Sequence, residues 1–293
     1  MDCSVKDKEK KILILSINYF TDDRACKFVN SFKKHLNENV ECVLIDNTTR
    51  DSSINFFTKI RKISPLVQTV KPESNLGYFG GAKYGFEYFL EKNIEYPDWV
   101  IVSNVDLEFS ESNFFNVLSK LKSLPDLGVI APKIWSNLFK RDVNPKIVKR
   151  PSKRYMKLLN IIFNNYYAYS VFALLSYLKN FMLRYKEALI LSKNKLQIQN
   201  INTDFTEIYA PHGSFIIFHK RFFQKGGSLD YPSFLFGEEI FVAETAMKLN
   251  LKILYYPKLK VIDYEHASTG IIRSKRIASY FKESMNFIVD QYF

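Results

Sequence analysis

Strand-like and helix-like patterns alternate through the first third of the chain, and this alternation restricts the possible fold more than any other feature. KILILSINYF is an apolar run that ends in polar residues, as a buried parallel strand does. Phe28, Phe32 and Leu36 then recur four apart, a helical stripe within 24–37. ECVLIDN predicts a second strand, and DSSINFFTKIRKI places a capping Ser or Asp before a helix. VQTVK predicts a third strand, followed by a glycine-rich turn and a helix from Ala82 to Asn93. WVIVSNVD, a helix near 112–122 and the strand LGVIAPKIW complete the series. This spacing implies βαβ units and an α/β fold with a parallel sheet. Ligands of such sheets bind beyond the carboxyl ends of the strands, where Asp46, Asn75 and Asp106 fall.

The pattern breaks from about 136 to 208. PKIVKRPSKRYMK is strongly basic and precedes LLNIIFNNYYAYSVFALLSYL (158–178), which carries no charge. Its length raises the question of a transmembrane helix. Three asparagines and several tyrosines lower its hydrophobicity, and one crossing would put the two halves of an α/β domain on opposite sides of a membrane. A span is therefore rejected. Two readings stay open: an aromatic helix lying on the bilayer with basic flanks at anionic headgroups, or a helical hairpin packed on the domain. Regular patterning resumes with EIYAPHGSFIIFHKRFF and continues through FGEEIFVAETAMKLN, where Ile240, Ala243 and Met247 mark one helical face. KILYYPKLKVIDYEH predicts one or two closing strands, and an amphipathic helix over 277–293 ends the chain.

The formal charge of +12 implies contact with something anionic, whether nucleic acid, phospholipid headgroups or a phosphorylated substrate. Nucleic acid is the poorest fit, because the cations cluster beside an apolar run and not among spaced stacking aromatics. The 26 Phe and 18 Tyr can fill a core or form an interfacial belt. Cys3, Cys26 and Cys42 form neither a metal-binding spacing nor a disulfide framework, and the charged start MDCSVKDKEKK contains no secretory signal. The expectation is a cytoplasmic location, with the insert able to hold the chain peripherally on the inner face of the cell membrane.

Four segments can carry chemistry, and each has a bland alternative. The glycines of NLGYFGGAKYG let backbone amides approach phosphate, or permit a tight turn and close helix packing. Asp106 in SNVDLEF can hold a hard divalent cation, or cap a turn. Glu238 and Glu239 in FGEEIF can supply a general base, or simply favour a helix start. His266 in EHASTG can complete a metal site, or be structural.

The order and spacing of SINYF, LIDNTTRDSS, NLGYFGGAKYG, SNVDLEF, HGSFIIFHKRFFQKGGSLD, FLFGEEIFVAETAMKLNLKI and EHAST resemble glycosyltransferase family 2, with its GT-A fold. The resemblance is strongest over 11–135 and 208–270, and within the family it is to bacterial rhamnosyltransferase-like enzymes of capsule or lipopolysaccharide synthesis. It implies one GT-A domain over 1–293. A nucleotide-binding half (11–135), the basic, aromatic insert (136–208), an acceptor-binding and catalytic half (208–270) and a C-terminal helix (276–293) would divide it. It implies nucleotide contacts at Asn18, Asp46 and Asn47, and base and diphosphate contacts at Asn75, Gly77 and Gly81. His212 and Gly213 would line the sugar and acceptor site. Asp106 would bind Mg2+ or Mn2+ with His266 nearby, and Glu239 would be the base, with Glu238 next in line.

Three departures stand out: Asn104 replaces the first acid of the metal motif, Glu239 replaces an Asp base, and Lys83 replaces an Asn, adding a cation that can reach diphosphate. The implied reaction is inverting transfer from a UDP- or dTDP-linked sugar to a glycan or polyprenyl-diphosphate-linked acceptor. A sugar nucleotidyltransferase and a degenerate membrane-associated scaffold are the alternatives.

Overall fold

In the computed structural model, which describes residues 11–121, 124–176, 178, 205–264 and 274–293, β1 (Ile12–Asn18) is buried at every position. Its place in the sheet is the reason. β2 (Val40–Asp46) lies parallel to it on one side and β4 (Trp99–Asn104) parallel on the other. The register sets Asn18 opposite Asp46 and Ile17 opposite Asn104, so three polar residues end adjacent strands at one edge. β3 (Val67–Val70) extends this parallel half beyond β2.

Beyond β4 the strand directions mix. β9 (Phe215–His219) runs antiparallel to β4 and to β6 (Leu127–Ser136). β10 (Lys252–Asp263) is parallel to β6, and the short β5 (Leu107–Phe109) is antiparallel to β10. The order is β3-β2-β1-β4-β9-β6-β10-β5, with β7 (Arg141–Asp142) beside β6 and β8 (Thr206–Ile208) beside β10.

Successive side chains of a strand point to opposite faces, and both faces here are covered by helices. Leu13, Leu15 and Ile17 share one core with α3 (Gly77–Leu90), α7 (Lys220–Gln224), α8 (Glu238–Lys248) and α9 (Lys275–Tyr292). Ile12 and Ile14 share the other with α1 (Asp22–Phe32), α2 (Ile54–Ile63) and α4 (Phe114–Lys120). The α/β architecture expected from the alternation is present. Many of the Phe side chains are core: Phe28, Phe56, Phe79, Phe114 and Phe218 are all buried.

Several local expectations need correction. α3 begins at Gly77 and not at Ala82, although four glycines lie within it. Glycine disfavours helix locally, but here it permits close packing: a Cβ on Gly85 would sit 2.6 Å from Cδ1 of Ile45. The α1 stripe ends at Phe32, and its last turn tightens into a 3-10 turn over Lys33–His35. The residues after Asp106 form β5, a strand without a signal of its own in the sequence, because β10 offers them a partner. The closing strand is a single one, with a shift of register between Tyr256 and Lys260.

Within the described part of the insert, α5 (Lys153–Asn164) and α6 (Tyr166–Ser176) are bent by 114° relative to each other. Among the described residues no single helix is long and apolar enough to cross a membrane. Phe163, Tyr169 and Ala278 form a small separate core between this pair and α9. Arg150 reinforces the junction: its guanidinium donates to Glu244 (2.7 and 3.1 Å) and to the Tyr292 carbonyl (2.9 Å). One face of the insert is thus a hairpin packed on the domain.

Candidate functional site

Polar side chains at the ends of β1 and β2 hold one another in place. Asn18 donates through Nδ2 to Asp22 (3.0 Å) and Asp46 (3.2 Å), and its Oδ1 accepts from the amide and hydroxyl of Thr21. Asp46 is fully buried and also accepts from the Ser53 hydroxyl and from Arg50 Nη2 (3.4 Å), with Arg50 Nε 3.1 Å from its other oxygen as an ion pair while donating to the Thr48 hydroxyl (2.7 Å). Arg50 forks onto Asp22 with bonds of 2.8 and 2.6 Å, and this contact holds the Asp22 carboxyl below its usual range. Arg50 also stacks its cation on Phe20 and Phe56. Phe20, Thr21, Asp22, Arg24, Arg50 and Lys59 border an open cavity of about 510 Å³. Arg50 had no role from sequence; its place four residues after Asp46 is the only local signal.

The next strand-end residue fixes the start of α3. Asn47 donates to the Gly77 carbonyl (2.7 Å) and accepts from the Leu76 amide (2.9 Å), while Asn75 accepts from the Gly77 amide (3.0 Å). Gly77 has φ +75°, and a Cβ there would lie 2.1 Å from the Phe234 carbonyl oxygen. Only glycine meets both conditions. Gly81 packs on Asn47 and Ile17, so it faces the sheet. The glycine-rich segment therefore serves turn geometry and close packing. Lys83 is engaged by Asp230 at 3.0 Å and Glu87 at 3.9 Å.

One residue beyond Gly77, Tyr78 marks where the acidic groups converge. Its phenol donates to the Ser214 carbonyl (3.3 Å), whose oxygen also accepts from the Asn104 amide (3.0 Å). Burial first, then the carboxylates of Glu238, Asp106 and Glu239, push the phenol's ionisation far up. Asp106 follows the end of β4 and has Oδ1 buried. Glu238 is buried at the start of α8, and burial followed by repulsion from Glu239 raises its carboxyl above the usual range. The amides of Glu238 itself and Phe236 oppose that shift, as does Lys146. Glu239 is less buried and lies against Gly213, where a Cβ would be 3.1 Å from Oε1.

The turn before α8 is held rigidly. Gly237 has φ +84°, and the Tyr231 and Ser284 hydroxyls both donate to the Phe236 carbonyl, at 2.8 and 2.6 Å. Phe236 stacks on Phe281 of α9 at 3.6 Å. On the opposite side, His212 Nδ1 accepts from the Ser214 amide (3.3 Å), which leaves the neutral ring's proton on Nε2. Burial, then Lys146, push this imidazole down to about 3. Asn144 carries the loop: it donates to the Pro132 carbonyl (2.8 Å) and accepts from the His212 amide (2.7 Å). Tyr78, Asn144, Lys146 and Ser214 had no role assigned from sequence, because residues far apart in the chain place them here.

Asp106, Glu238, Glu239, His212 and Gly213 thus gather near Tyr78 and Ser214, and Asn18, Asp46, Asn47, Asn75, Gly77 and Gly81 gather along the neighbouring strand ends. His266 lies outside the described residues, and among the described residues no three His, Cys, Asp or Glu side chains form a metal-ligand group.

Residues 12–227 match Glycosyl transferase family 2, a span that stops before Glu238 and Glu239. No curated protein matches the sequence. Among solved structures, the mannosyltransferase PcManGT from Pyrobaculum calidifontis, in complex with GDP-Man and Mn2+, superposes with a TM-score of 0.51 at 12% identity, over 98% of this chain and 70% of that one. GalNAc-T7 with UDP, GalNAc and Mn2+ gives 0.52 at 12% identity, over 89% of this chain and 45% of that one. At such identity the likeness is one of fold, and it agrees with the GT-A arrangement. The family match covers all four strands of the parallel half and most of the site, so this chain belongs to glycosyl transferase family 2 and is a glycosyltransferase.

Proposed function

We propose that the chain transfers a sugar from a nucleoside diphosphate sugar to a hydroxyl of a glycan or lipid-linked acceptor, with inversion at the anomeric carbon. The observation that carries this reading is the position of Glu239, partly open at the head of α8 and seated against Gly213. Glu238 is buried and takes amide hydrogen bonds from its own helix start, so Glu239 is the carboxylate placed to act as base. Glu239 accepts the proton of the acceptor hydroxyl as that oxygen bonds to the anomeric carbon and the bond to the diphosphate oxygen breaks. His212, neutral and protonated at Nε2, offers a hydrogen-bond donor beside the same loop. The Asn18–Asp46–Arg50 network gives the nucleotide a rigid edge.

A divalent ion, Mg2+ or Mn2+, fits the donor set. The buried Asp106 oxygen is a hard ligand in a region where two more carboxylates add negative charge. Asp106 would hold it, with donor phosphates and water completing the shell, and when bound it would stabilise charge on the departing diphosphate. Neighbours of this fold carry GDP-Man or UDP together with Mn2+, which supports a nucleotide-linked donor and such a cation here. The family match favours this reading over a nucleotidyltransferase or a scaffold. A role in bacterial surface polysaccharide synthesis with a UDP- or dTDP-linked donor fits the charge and the insert. Calorimetric titration of GDP-, UDP- and dTDP-sugars, with and without Mn2+, tests it. Metal-dependent binding of one of them is expected, and binding of none overturns the proposal.

A further inference from the structure

We propose that the elbow formed by α5 and α6 docks on an anionic lipid bilayer. The first observation is that α5 is apolar on two sides. Met156 and Phe163 point inward and are buried, while Leu158 and Ile161 stand on the opposite arc, 53% and 70% exposed. Packing on α9 accounts for the first set and leaves the second unexplained. In α6, Tyr167, Val171, Leu174 and Leu175 recur at i, i+4, i+7 and i+8, which is one stripe of the helix, and all four are exposed. Tyr169 lies buried behind them. The two exposed stripes belong to helices that meet at 114°, and neither helix alone is long and apolar enough to cross a membrane.

Charge identifies the occupant. Lys153, Arg154 and Lys157 are exposed on α5, beside Leu158 and Ile161, and no carboxylate pairs with them among the described residues. The sequence contains no acidic residue between Asp142 and Glu187. An apolar helical face edged by cations suits the boundary between headgroups and acyl chains, with the cations in the anionic layer. A second copy seated on the same face would bring like-charged clusters together. The inner side of the elbow meets α9 through Phe163 and Phe281, and Phe281 stacks on Phe236, two residues before Glu238. Docking would therefore hold the α8 turn close to the membrane surface, which suits a lipid-linked acceptor if the transfer reaction is as proposed above.

The full chain is mixed with vesicles of phosphatidylcholine, or of phosphatidylcholine with phosphatidylglycerol, and its partitioning is read by sedimentation. Binding is expected only with phosphatidylglycerol, and it should weaken with salt. Neutralising Lys153, Arg154 and Lys157 together with Gln should lower partitioning about fivefold per charge, about a hundredfold for three. Leu158→Ser with Leu174→Ser should also lower it, with the melting temperature and donor binding unchanged. Absence of vesicle binding by the parent chain, or binding insensitive to both sets of changes, overturns the proposal. So does a dimer that these serine changes dissociate without any lipid binding. The readout needs neither donor nor acceptor, so a failed transfer assay leaves it standing.

Discussion

Glu239 and Gly213 are in direct contact: the glycine's missing Cβ would lie 3.1 Å from Oε1 and 3.2 Å from Cδ of the glutamate. The loop that carries His212 and the helix that carries Glu239 thus pack closely where position 213 has no side chain. Gly213→Ala should push the Glu239 carboxylate aside by a few tenths of an ångström while leaving the core untouched. Misplacing a catalytic group by about 1 Å can cost about 10²-fold, so a loss of about tenfold in kcat is expected for this smaller shift, with little change in melting temperature. Steady-state kinetics with a thermal melt checks both.

Replacing Glu239 with Gln keeps the shape and removes the proposed base. Transfer should fall by about 10²–10⁴ while titration shows donor affinity retained. Near-normal turnover would move the base to Glu238.

Stability should fall on both sides of a middle pH range, for opposite reasons. Burial raises the Glu238 carboxyl above its ordinary 4.5, so the folded state holds a proton that the unfolded chain has released, and stability drops as pH rises past that value. Burial lowers His212 from 6.5 to about 3, so the folded state refuses a proton that the unfolded chain takes up, and stability drops as pH falls through 6.5 toward 3. Chemical denaturation across pH should show Glu238→Gln flattening the first slope and His212→Gln the second.

Arg50→Ala leaves the fully buried Asp46 and the neighbouring Asp22 without their cation. Removing one partner of a buried pair costs about 3–5 kcal/mol, and about 2–4 kcal/mol is expected here because Arg50 keeps partial contact with water. Urea unfolding measures it, and donor affinity should fall with it if this network forms the nucleotide edge.

Gly77→Ala would impose both a positive φ and a clash with the Phe234 carbonyl. About 1–3 kcal/mol of strain is expected from the backbone conformation alone, so the melting temperature should drop more than for Gly80→Ala, whose added Cβ meets only Leu76.

Much of the fold could be read from local pattern. The apolar runs at 12–18, 40–46 and 99–104 are strands because a strand covered on both faces takes mostly apolar side chains, with Ser16 and Ser103 admitted by hydrogen bonds to backbone carbonyls, and the run ends where the sheet does. The same rule brought Asp46, Asn47 and Asp106 to one edge. Helix limits were less legible: Gly77 and Gly81 look like a loop by propensity, and only Phe234, Asn47 and Ile17 reveal why glycine was needed in a helix. β5 was invisible because three residues carry no period, and its partner lies about 150 residues away in β10.

The chemistry was divided in the same way. Residue types and their order along the chain were enough to indicate a family, which the match over 12–227 bears out, while the nucleotide contacts and the base that the resemblance implies stand as proposals. The choice between Glu238 and Glu239, the use of Arg50, the neutral state of His212 and the reach of Lys146 depend on burial and on contacts between distant segments. Each is an effect of dielectric and distance, and a linear pattern records neither until the chain has packed.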